Sequence, residues 1–163
     1  MLFVLYVLLA VVTTIYLFMS ARMDLKERQI YTMPCFLLTL SWCVYLLDMQ
    51  VFDWRHLVLY WFFHHVLWRL FNHFKVWGAG DSDVFLLLCN VLLAVLGAKS
   101  WVVILIAECV CVITALASAI LVAVLEFRQK EKGIDLYSKV AVVPGFAIVI
   151  IALLIFGLLG RMV

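Results

Sequence analysis

The sequence predicts an all-α integral membrane protein, a single domain over residues 1–163 built as a bundle of six transmembrane helices. Three observations predict it. Of the 163 residues, 69% are hydrophobic, and the mean hydropathy is +1.21. Soluble domains are usually about 45–50% apolar. Apolar runs recur six times, separated by short polar segments. Basic residues are divided unequally between the alternate segments, as in proteins oriented by a positive-inside bias.

The runs cover residues 2–20, 34–49, 57–74, 84–98, 101–125 and 140–159. A helix needs about 20 residues to cross the hydrocarbon, within about 17–25. The first run lacks a basic leader and a small-residue cleavage site, so it reads as a permanent helix and not a signal peptide. The second and fourth are short, and the fourth reaches a spanning length if its helix starts near Asp81. The third is interrupted by His64, His65 and Arg69. Pro34 suits the opening of the second helix. Pro144 falls inside the last run, where it would free a backbone carbonyl and kink the helix, for packing or to shape a cavity.

One set of connecting segments holds Arg22, Lys26, Arg28, Arg69, Lys75, Arg128, Lys130, Lys132 and Lys139. The other holds only Arg55, Lys99 and Arg161, nine against three. That bias puts the first set in the cytoplasm and both termini outside a cytoplasmic membrane. Residues 21–33 suit a helical continuation of the first run, and residues 126–139 read as a solvated linker whose lysines meet anionic headgroups. The net charge of +2 gives no nucleic-acid signal. The five cysteines all fall inside runs and make no C-x-x-C pair, so neither a disulfide framework nor zinc-site spacing is implied.

Two carboxylates stand out. Asp24 follows the first run, and Asp81 ends Gly78-Ala79-Gly80-Asp81 before the fourth. Both fall at the predicted cytoplasmic face, and ionisable groups at such depth are functional candidates. The glycines permit φ > 0 or close approach of another backbone. Irregular backbone there must be buried or line a wet cavity, which predicts a pocket holding Asp81. The plainer reading makes Asp81 a cap for the next helix. His56, His64, His65 and His73 all lie on or beside the third run. No other run offers a histidine, so a polar stripe of His65, Arg69 and His73 facing neighbouring helices or the cavity is preferred to a metal site.

Asp24 with Arg28 four residues on and Ile30 six on, then Gly78-x-Gly80-Asp81, then Val143-Pro144-Gly145-Phe146, resembles the type IV prepilin peptidases and preflagellin peptidases. The likeness extends over nearly the whole chain. It implies a membrane aspartic endopeptidase with a G-x-G-D loop at the cytoplasmic face, catalytic Asp24 and Asp81, and Gly78, Gly80, Arg28 and Pro144 in support. The implied partner is a prepilin-like substrate with a basic leader and a hydrophobic N-terminal helix, cut after a glycine; the implied surroundings are lipid, with no cofactor, metal or nucleic acid. Paired carboxylates suit this chemistry, because like-charge proximity keeps one proton on the pair and supplies an acid beside a base. Two departures stand against the pattern. Asp83 occupies the position of a family lysine, and Ile30-Tyr31-Thr32 lacks the family's turn proline. The cysteine-rich insertion of larger members is missing, which implies peptidase without methyltransferase activity. The competing class is a small non-enzymatic membrane component, such as a transporter subunit or a pilus or secretion assembly factor.

Overall fold

The computed structural model describes residues 2–49, 53–74, 77–97, 100–129 and 141–162, excluding the side chains of 127–129 and 162. The described residues form six helices: α1 (Leu2–Glu27), α2 (Thr32–Asp48), α3 (Trp54–His73), α4 (Ala79–Leu96), α5 (Trp101–Gln129) and α6 (Val143–Met162). Four are long and apolar enough to cross a membrane: α1, α4, α5 and α6. Helix α2 has 17 residues and is shorter than that. Helix α3 has 20, but its His64, His65 and Arg69 reduce its apolarity.

Local chemistry sets the ends. Helix α1 continues through the charged segment to Glu27 and stops where Arg28 takes φ 56°. A left-handed residue after the last turn is a common helix terminator, though usually glycine fills it. Pro34 lies in the first turn of α2, where its missing N–H has no intrahelical acceptor to lose. Helix α4 starts at Ala79 with Gly78 as its N-cap and ends at Gly97, whose φ of 66° a side chain would resist.

Three expectations change. The G-x-G-D segment is no free loop, since Gly80 and Asp81 belong to the first turn of α4. Pro144 does not kink a helix interior: α6 begins at Val143, so the proline is its second residue and breaks no i→i−4 bond. Helix α5 runs past residue 125 and carries Glu126 within it, not in a solvated linker. The rest of that linker, with Lys130, Lys132 and Lys139, lies outside the described residues, as do Lys75 and Lys99.

Helix α4 is the centre of the bundle. It packs against α2, α3, α5 and α6, and α1 lies against α2 and α6. Nearly every α4 side chain from Val84 to Ala94 is buried. The outward faces are equally apolar, with Phe18, Phe62, Ile113, Leu121 and Phe156 exposed. Apolar surface of that extent suits lipid contact, not water. Where lipid tails are as apolar as leucine, close van der Waals packing and polar links must hold helices together. Both occur here. A Cβ on Gly145 would collide with the Ala115 carbonyl and stand 2.7 Å from the Ala119 nitrogen, so only glycine lets α6 approach α5 this closely. Tyr6, Trp42 and Tyr45 pack with ring centroids 5.5–5.9 Å apart, and the Trp42 indole donates to Thr13 Oγ1 at 3.0 Å.

Candidate active site

One end of the bundle gathers the C-terminal ends of α1 and α5 with the N-terminal ends of α2, α4 and α6. A cavity of about 260 Å³ opens there, lined among others by Asp24, Arg28, Ile30, Gly78, Gly80 and Asp81. That space holds several waters, each needing about 30 Å³.

Asp24 is buried on the last full turn of α1, 7% exposed. Its Oδ2 accepts the Val143 N–H at 3.1 Å, and the Val142 N–H acts on the carboxylate as well. The opening N–H groups of a helix have no intrahelical acceptor, and a carboxylate there satisfies them. Asp24 therefore caps α6 from another helix. Pro144 follows directly, and its role is to begin α6 where those N–H groups meet Asp24.

Asp81 is the third residue of α4. Its Oδ2 accepts the Gly78 N–H at 3.0 Å, the reach-back of a capping box. The plain capping reading of Asp81 is thus realised, and the same side chain still faces the cavity. The charges of Asp24 and Asp81 act on one another across it. Neither Gly78 nor Gly80 uses positive φ. Gly80 serves close approach instead: a Cβ on it would lie 2.5 Å from Ile30 Cγ1 and 2.8 Å from Cδ1. The turn after Arg28 folds Ile30 onto α4 and is tied down by the Tyr16 hydroxyl, which donates to the Tyr31 carbonyl at 3.0 Å.

Arg28 reaches across to α5. Its Nη2 donates to both carboxylate oxygens of Glu126, at 3.0 and 3.2 Å. Its buried Nη1 has no hydrogen-bond partner among the described residues. Both Arg28 and Glu126 act electrostatically on Asp24. Glu126 was hidden in the sequence by the mixed-charge run that follows it. Asp83, two residues beyond Asp81, turns to α3 and accepts the Trp68 indole N–H at 2.9 Å; it does not line the cavity.

The histidines separate differently from the expected stripe. His65, Arg69 and His73 are exposed on α3, and none of them lines the cavity of Asp24 and Asp81. His64 is the histidine turned inward, 2% exposed, with its Nε2 3.1 Å from Glu108 Oε2 on α5. A single carboxylate within the otherwise apolar run 101–125 was the available signal for Glu108.

Chemically, the cavity offers two carboxyl groups held by backbone N–H donors, an arginine at the rim and room for water. No protein-family model matches this chain, and no curated protein or solved structure matches it either.

Proposed function

We propose that the chain is a membrane aspartic endopeptidase of the prepilin peptidase type. The single observation that carries this reading is that Asp24 of α1 and Asp81 of α4 line one cavity with room for several waters. In the proposed reaction one carboxylate takes a proton from water while the other, protonated, donates to the scissile carbonyl. The carboxyl pair then returns a proton to the leaving nitrogen. The two titrate as a unit, so neither is the permanent base. The proposed topology has six membrane crossings, read from the six apolar runs, with a cytoplasmic active site and outward termini, read from the basic-residue bias. The substrate would be a prepilin-like precursor, its hydrophobic helix in the bilayer and its basic leader at the cytoplasmic surface.

A second reading rests on the hydrogen bonds themselves. Both carboxylates accept N–H groups at helix starts, Asp24 from α6 and Asp81 from α4. A non-enzymatic membrane component would need them for that alone. The test is cleavage of a peptide with a basic leader, a glycine and a hydrophobic helix by the purified full chain in detergent. The peptidase reading expects a cut after the glycine. It also expects at least about a 10²–10⁴-fold loss in Asp24→Asn and in Asp81→Asn with helicity retained. No cleavage by the unmodified chain would favour the non-enzymatic reading, and near-normal turnover by either variant would remove the aspartate pair from the mechanism.

A further inference from the structure

A second polar cluster lies deep in the bundle, away from the cavity, where α3, α4 and α5 meet. His64, Cys89 and Glu108 are 2%, 1% and 6% exposed. Their donor atoms all lie within 4.8 Å of one another. Polar groups so buried among apolar helices are functional candidates, and three helices contribute one donor each.

Hydrogen-bond accounting narrows what the cluster can hold. His64 Nδ1 lies 2.8 Å from the Tyr60 carbonyl oxygen, an acceptor only, so Nδ1 carries the hydrogen. In the neutral ring, Nε2 then presents a lone pair to Glu108 Oε2 at 3.1 Å. Two lone pairs facing each other need a cation between them, a proton or a metal ion. A shared proton would join His64 to Glu108 alone, with Cys89 Sγ only packing beside them. A metal ion uses all three.

We propose that His64, Cys89 and Glu108 bind one divalent transition ion of the zinc class. Imidazole nitrogen, thiolate sulfur and carboxylate oxygen are the donors such ions take. Around a tetrahedral ion with bonds of about 2.0–2.3 Å, neighbouring donors stand about 3.3–3.6 Å apart. The His64–Glu108 separation is close to that, and the thiolate needs to approach by about 1.2–1.5 Å at most. Charge balance suits the location, since a divalent cation with one thiolate and one carboxylate is neutral, and Cys89 gives up its proton on binding. The outer partners are also in place. His64 Nδ1–H is held by a backbone carbonyl, and the Tyr60 hydroxyl contacts the second carboxylate oxygen, Glu108 Oε1. Such contacts orient metal-binding side chains. The site binds three helices together where lipid offers no hydrophobic force to do so.

The proposal does not rest on the peptidase reading, and Asp24→Asn is expected to leave it unchanged. The test uses the full chain in detergent, stripped with a chelator and titrated with Co(II). The expected result is about one ion per chain, with a thiolate-to-cobalt charge-transfer band and tetrahedral d–d absorption. Cys89→Ser abolishes the charge-transfer band. Tyr60→Phe keeps it and weakens affinity by about 10–100-fold, the usual effect of removing an outer partner. A variant with Cys35, Cys43, Cys109 and Cys111 replaced by serine keeps it as well, so the assignment stands on a variant that leaves the site intact. Absence of the band in the unmodified chain, its survival in Cys89→Ser, or its loss in the four-serine variant overturns the proposal.

Discussion

Replacing Gly80 by alanine tests the packing that shapes the cavity, and the structure predicts a change of sign between two backgrounds. The new Cβ would sit 2.5 Å from Ile30 Cγ1 and 2.8 Å from Cδ1. Carbon pairs are comfortable at about 3.5–4.0 Å, so Ile30 must retreat by about 1 Å. Overpacking of this kind costs about 1–3 kcal/mol. Alanine in a helix recovers about 0.5–1 kcal/mol over glycine, and Gly80 lies in the first turn of α4. The net loss is therefore about 0–2.5 kcal/mol. Ile30→Ala removes both colliding atoms and leaves the Ile30 Cβ 3.9 Å away, an ordinary contact. In that background Gly80→Ala should stabilise by the propensity gain alone, about 0.5–1 kcal/mol. The assay is reversible unfolding of the four proteins of the cycle in detergent micelles, followed by tryptophan fluorescence. Cleavage by Gly80→Ala should also fall by about 10²-fold, since a misplacement of about 1 Å near the reacting groups has that effect. Additive stabilities across the cycle would refute the reasoning, because they would show that Gly80 and Ile30 do not share the contact.

Asp83→Asn should keep at least a tenth or so of the activity, because the amide oxygen still accepts the Trp68 N–H and the side chain does not line the cavity; a loss as deep as that of Asp81→Asn would mean Asp83 is the second carboxylate. Gly145→Ala should disrupt the α5–α6 contact by about 3 kcal/mol or more, since its Cβ meets the Ala115 backbone carbonyl. Gly160→Ala, also within α6 but with nothing within 4 Å, is the control and should lose no stability, gaining at most the helix-propensity difference of about 0.5–1 kcal/mol. Single cysteines placed near Asp53 should react with an impermeant reagent from outside the cell, and those near Lys26 should not; the reverse pattern would invert the proposed orientation.

The sequence alone determined that the chain is helical and apolar, and where most helices begin and end. Runs of apolar residues and a few glycines and prolines carry that information locally, as the starts of α2 and α5 show. It also placed Asp24 and Asp81 at the same end, because alternating helices bring the end of α1 and the start of α4 together. Contacts between helices were decided only in the tertiary structure. Inside and outside are both apolar here, so periodicity does not tell which face of a helix turns inward. That is why the exposed stripe of His65, Arg69 and His73 drew notice while His64 met Glu108. Likewise Arg28 found Glu126 from 98 positions away, and Asp24 capped α6 from 119 away. Hydrogen bonds of that span depend on which helix ends meet, and a residue's neighbours in the chain hold no record of that.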